Sequence, residues 1–203
     1  MKNTFAIAII LAVVAACQSN TADEQQSSQA AEHQHHSEVQ QESKPEATEQ
    51  KKPLSPHTSA MAMVGDAHIH IDYSSPRVRN RVIFGGLVAM DEVWVSGAHK
   101  ATWLETNKAL RIAGKTLPAG KYALFTIPGQ EQWTVIFNKR WDQHGKDEYI
   151  EGEDVFRFKV QPEILEQPQE ELTYEVNKKS ETEGTISLAW EKKKISFHFE
   201  VVQ

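Results

Sequence analysis

The sequence predicts an all-β fold: an antiparallel β-sandwich, jelly-roll or immunoglobulin-like, of about eight to ten short strands behind a disordered N-terminal tether. Three observations carry this expectation. Apolar and polar residues alternate over short runs from about residue 68 to the C-terminus. Turn-forming residues interrupt those runs at intervals of about eight to twelve residues. No stretch of twelve or more residues keeps a helical period.

The chain has 203 residues, 39% hydrophobic and 25% charged, with a net charge of −6 and one cysteine. That composition excludes a multi-span membrane protein and a wholly disordered chain. The mild acidity argues against a nucleic-acid partner, which selects basic surfaces. A lone cysteine rules out an intrachain disulfide and every multi-cysteine zinc pattern.

The first element is a signal peptide over residues 1–16. Lys2 is followed by an apolar run from Phe5 to Ala16. The run is too short to cross about 30 Å of hydrocarbon, which takes roughly 20 helical residues. Val14-Ala15-Ala16-Cys17 closes it and resembles the bacterial lipobox, with valine in place of the commoner leucine. Cleavage there would leave Cys17 as the first mature residue, its thiol open to a lipid such as a palmitate-bearing group and its amine to acylation. Two or more acyl chains, each contributing about 0.8 kcal/mol per buried methylene, anchor a soluble domain almost permanently. The expectation is a lipoprotein of the bacterial cell envelope, on the outer membrane, with its domain in the periplasm or at the cell surface.

Residues 17–56 are the expected tether. Positions 18–56 hold eight glutamines, seven acidic residues, three lysines and no aromatic. Such a segment cannot bury enough apolar surface to offset the entropy of ordering. Its root-mean-square span as a coil is roughly 35 Å. The tract His33-Gln34-His35-His36 within it has metal-capturing chemistry but reads more simply as polar tether.

Residues 57–203 hold sixteen of the seventeen aromatics and form the single domain. His68 to Tyr73 alternates, with Ile69, Ile71 and Tyr73 on one face and His68, His70 and Asp72 on the other. Lys121–Ile127 follows the turn Leu117-Pro118-Ala119-Gly120, and Trp133–Phe137 follows Pro128-Gly129, so these two runs form an antiparallel pair. Val155–Val160, Leu172–Val176, Thr185–Trp190 and Ile195–Val201 continue the pattern. Lys192-Lys193 is read as a tight turn between the last two. The polar stretch Arg140–Asp154 is read as a long, functional loop.

An ordered series of motifs goes beyond pattern. Tyr73-Ser74-Ser75-Pro76 leads to Arg81-Val82-Ile83-Phe84-Gly85, Trp94 and Gly97-Ala98-His99-Lys100-Ala101-Thr102. Leu117-Pro118-Ala119-Gly120-Lys121-Tyr122, Phe125-Thr126-Ile127-Pro128, Trp133 to Asn138 and Asp154-Val155-Phe156-Arg157 follow. This series resembles the bacterial envelope family catalogued as domain of unknown function 2911, over nearly all of residues 55–203. The family typically reads Gly-Ala-Asn-Glu-Ala-Thr where His99 and Lys100 stand here. The resemblance implies an envelope location and a β-rich fold, and transfers no activity.

Two constellations carry candidate chemistry. His68, His70 and Asp72 share a strand face, with imidazoles about 6.6 to 7 Å apart along the chain, a spacing that one zinc or copper ion can bridge given further ligands. His99, His144 and His198 are candidate donors; the alternative is a solvated polar face. Tyr73, Arg81, His99, Lys100, Asp154 and Arg157 could bind an anion or act as acid and base, with Trp141 as a surface aromatic beside them. The alternative there is a structural arginine–aspartate pair with a tyrosine hydrogen bond. Trp94, Trp133 and Trp190 sit in apolar strand patterns and read as core, leaving Trp103 and Trp141 as surface rings. No nucleophile elbow and no phosphate loop is present.

The function expected is a non-catalytic binding or assembly module for an envelope protein or small ligand, membrane-attached through its N-terminal lipid. A metal-binding protein using the strand histidines and a hydrolase-like enzyme on an envelope substrate stand as alternatives.

Overall fold

The computed structural model describes residues 53–203. The expectations for the signal peptide, Cys17, the tether up to residue 52 and the His33–His36 tract lie outside the described residues.

Ten strands follow in chain order: β1 (His57–Val64), β2 (Ala67–Ser74), β3 (Trp103–Thr106), β4 (Leu110–Ile112), β5 (Lys115–Leu117), β6 (Gly120–Ile127), β7 (Trp133–Asn138), β8 (Asp154–Val160), β9 (Glu163–Lys178) and β10 (Glu183–Val201). One 3-10 turn, Glu151–Glu153, precedes β8, and among the described residues there is no α-helix. No helix of the described residues is long and apolar enough to cross a membrane. The strands build a six-stranded sheet, β1-β2-β3-β6-β7-β8, and a four-stranded sheet, β5-β4-β10-β9. Every neighbouring pair is antiparallel. The fold is therefore the two-sheet sandwich that the alternation predicts, although β9 and β10 are long, at 16 and 19 residues.

The core lies between the sheets. Ile69 and Ile71 of β2, Leu104 of β3 and Val135 and Phe137 of β7 meet Ile186, Leu188, Trp190, Phe197 and Phe199 of β10. Each fully buried side chain of this size contributes about 1.5–3 kcal/mol through the area it removes from water. The outer face of the six-stranded sheet is covered over β6 and β7 too. Residues 75–102, between β2 and β3, and residues 139–150, after β7, fold back over Ala123, Phe125 and Ile136 and add Val95, Ala101, Trp141 and Tyr149. Both faces of β7 are consequently buried along its whole length.

Three expectations need correcting. Lys192-Lys193 is no turn: β10 runs unbroken from Glu183 to Val201, with register shifts on either side of Glu191, whose φ is 53°. The inward positions are even before it (Ile186, Leu188, Trp190) and odd after it (Ile195, Phe197, Phe199, Val201). Such a parity change is what a β-bulge produces, because the extra residue flips the alternation while the strand continues. Trp94 belongs to no named strand; it lies in the 75–102 segment and meets β6 through an isolated bridge to Thr126. The stretch Leu172–Val176 is the middle of the much longer β9.

Candidate functional site

The 75–102 segment closes one end of the sandwich with aromatic side chains. Phe84 sits edge-on to Trp133 at 4.9 Å between ring centroids, and Trp94 stacks on Trp190 at 5.8 Å and 19°. Phe84 and Trp94 also meet one another at 6.0 Å. These contacts join a loop to both sheets, since Trp133 is on β7 and Trp190 on β10. Trp94 Nε1 donates to the Gly97 carbonyl at 3.2 Å. The indole N–H groups of Trp133 and Trp190 are buried and have no acceptor among the described residues. An unmade hydrogen bond of that kind costs about 1–3 kcal/mol.

Beside this plug is a pocket of about 310 Å³ whose walls include Arg81, Leu87, Val88, Trp94, Ala98 and Trp190. Arg81 is held there by its own backbone: Nε donates to Val78 O at 3.1 Å and Nη2 to Arg77 O at 2.5 Å. No carboxylate among the described residues pairs with it. The polar side chains on this pocket are the Arg81 guanidinium, the Ser55 hydroxyl and the Trp94 and Trp190 indoles, set among apolar neighbours. Such a lining accepts a ligand with a flat apolar body and an acceptor group such as a carboxylate. A second pocket of about 340 Å³ lies behind Leu87, Val88 and Trp94, toward Lys146. On its wall Lys146 Nζ donates to Glu92 at 2.7 Å, beside the Asp147 carboxylate.

The seven ligand-binding candidates divide among separate surroundings. Tyr73 is in the core, where its hydroxyl accepts the Tyr174 backbone N–H at 3.2 Å and burial pushes its pKa up. Its ring is buried against Tyr174, at 4.8 Å between centroids. Arg81 reaches the pocket just described. His99 and Lys100 lie against the 139–150 segment, the His99 carbonyl accepting Gly145 N–H at 2.7 Å and Lys100 pairing with Asp142 at 3.5 Å. Trp141 meets Trp103 at 6.2 Å, and the Lys121 ammonium sits 3.3 Å from the Trp103 ring centroid and 3.8 Å from that of Trp141. Both surface tryptophans are therefore half-buried partners of a lysine, a contact worth about 0.5–2 kcal/mol.

Asp154 and Arg157 come together, as a structural clamp. Arg157 Nε donates to Asp154 Oδ2, and Arg157 Nη2 donates to the Tyr149 hydroxyl. Tyr149 in turn donates to Asp154 Oδ2 at 2.9 Å, and Asn138 Nδ2 donates to Asp154 Oδ1 at 2.7 Å. Burial, then the neighbouring Asp154 carboxylate, pushes the Tyr149 phenol up to about 12. The phenol stays protonated and the carboxylate is fully occupied, so the group pins the 139–150 segment to β7 and β8. The sequence supplied the arginine–aspartate pair but not Tyr149, which meets it through the loop's return path, or Asn138, which stands opposite Asp154 in the β7–β8 pair.

On β2, the face predicted for His68, His70 and Asp72 is the outer one. Asp72 Oδ1 is taken by His57 Nε2 at 2.8 Å across the β1–β2 pair. His68 and His70 have ring centroids 6.0 Å apart, and His70 rests edge-on against Trp103 at 5.1 Å. His99 and His144 lie instead on the covering segments, and His198 on the other sheet. Among the described residues no group of three or more His, Cys, Asp or Glu side chains is arranged to hold a metal.

A family model described as protein of unknown function (DUF2911) matches residues 55–199. No curated protein and no solved structure matches the chain.

Proposed function

For a chain that belongs to the DUF2911 family of unknown function, we propose a role as a lipid-anchored, non-catalytic binding module of the cell envelope. Its ligand site is the pocket beside the aromatic plug. The observation that carries this reading is an arginine without a carboxylate partner among the described residues, on a pocket walled by Leu87, Val88, Trp94 and Trp190. Arg81 is a charged donor, so a ligand must bring an anionic acceptor. The lipobox-like Val14-Ala15-Ala16-Cys17 supports the anchor, and the polar residues 18–56 would join the lipid to the domain.

The test uses full-length protein in detergent and 1-naphthoate as an aromatic carboxylate probe. Calorimetry should show one equivalent bound. Arg81→Ala should weaken binding at least about tenfold without lowering the melting temperature, because Arg81 is exposed and touches only nearby backbone. Equal binding by the variant, or no binding by the parent, would remove the pocket as the ligand site. Turnover of an envelope substrate that disappears with Arg81→Ala would replace the module reading with an enzyme.

A further inference from the structure

The outer face of the β1–β2 hairpin carries a second constellation, chemically distinct from the pocket. In β1 the small residues Thr58, Ala60 and Ala62 face inward, and Met61 and Met63 face out at 58% and 52% exposure. Two large apolar side chains left in water on an edge strand gain nothing from burial. The antiparallel register sets Met61 opposite His70 and Met63 opposite His68. Directly opposed residues have Cβ atoms about 4.5–5.5 Å apart. Positions i and i+2 along a strand are about 6.6–7 Å apart. Two thioethers and two imidazoles therefore occupy the corners of a small rectangle on one face.

Three further observations bear on what fits there. Met has three rotatable bonds beyond its backbone, so both sulfurs can swing toward the centre of that rectangle. His70 Nε2 is buried and has no hydrogen-bond partner among the described residues. Asp72, which shares the outer face of β2 with His68 and His70, is already bound by His57. Thioether sulfur with imidazole nitrogen is a soft donor set, and Glu105 of β3, the exposed carboxylate opposite His70, lies across β2 from the two methionines. The sulfur and nitrogen set favours Cu(I) and its congener Ag(I) over zinc, which takes thiolate, imidazole and carboxylate.

We propose that Met61, Met63, His68 and His70 form a binding site for a soft monovalent cation, Cu(I) or Ag(I). The site depends on no property of the Arg81 pocket, and either can fail without the other. Trp103, edge-on to His70, closes one side of it.

The experiment takes the full-length protein with His33→Gln, His35→Gln and His36→Gln, so that the histidine tract contributes no ligands. Under anaerobic conditions, Cu(I) competition against bicinchoninate should report one tightly bound equivalent. Titration with Ag(I) should shift the methyl resonances of Met61 and Met63 and leave that of Met90 in place. The double variant Met61→Leu, Met63→Leu keeps apolar volume at two exposed positions, so it should remain folded and lose at least about tenfold in Cu(I) affinity. His68→Gln should weaken binding in the same direction. Retention of full affinity by the double variant overturns the proposal. So does zinc binding of equal strength that is indifferent to the methionines, which would mark a plain histidine site. A 1-naphthoate titration run alongside reads the other site separately.

Discussion

Gly184 shows how closely single atoms are placed. A Cβ at this position would lie 2.3 Å from Phe199 Cζ and 2.6 Å from Cε1, and Phe199 is almost fully buried. Neither β10 nor the ring has room to yield cheaply. Gly184→Ala should therefore lower unfolding free energy by about 1–3 kcal/mol, the usual cost of overpacking, measured by urea denaturation. An unchanged midpoint would mean that Phe199 does not occupy this position. At the same scale, some of the candidate site was readable and some was not. Arg81, Asp154 and Arg157 carry charge that needs a use, and each has one: the pocket wall for the first, a mutual clamp for the others. The surroundings of Tyr73 were not readable, because its hydroxyl finds a backbone partner 101 residues away, which no local pattern reveals. Lys121 was invisible as the cation between Trp103 and Trp141, because the three meet only through strand pairing and a returning loop.

Strands were legible where alternation was strong and contrast between faces was large. β2, β6, β7 and β8 begin and end within one residue of the predicted runs. β1 was missed because its inward residues are small and its largest apolar ones face solvent, which inverts the usual signal. β4 and β5 have three residues each, too few for a period to register. The end of β10 was divided because three lysines between apolar runs resemble a turn. The bulge argument gives its own test at Glu191, which holds a φ of 53° inside a strand. A β-branched side chain is strained in that left-handed region, at a cost of about 1–3 kcal/mol. Glu191→Val should lower stability by that amount, and Glu191→Gly should be tolerated. Equal effects of the two would deny the bulge. The 75–102 segment lies beyond periodicity altogether: it packs Phe84, Val88 and Trp94 into a core without forming a named strand.

Over the whole molecule, burial has one collective consequence. All four tyrosines, Tyr73, Tyr122, Tyr149 and Tyr174, have pKa values raised above the usual 10, each chiefly by desolvation. The folded state then keeps protons that the unfolded chain releases above pH 10. Bound protons in excess in the folded form make stability fall as pH rises. The contribution is fully present below pH 10 and erodes upward, through about 12 for Tyr149. Ultraviolet titration at alkaline pH should therefore show no phenolate until above pH 10, with ionisation and unfolding rising together. Tyr149→Phe should flatten that pH dependence. Ordinary phenol titration at pH 10 in a folded protein would contradict the packing of all four.

The binding claim itself rests on the Trp190 indole and on Arg81, and the indole can be watched directly. The chain has five tryptophans and so five indole N–H resonances. Titration of full-length, ¹⁵N-labelled protein with 1-naphthoate should move the Trp190 resonance strongly, because its ring lines the pocket. The methyl ester, lacking the charge that Arg81 reads, should move it little. An unmoved Trp190 resonance, or shifts confined to Trp103 and Trp141, would contradict the account.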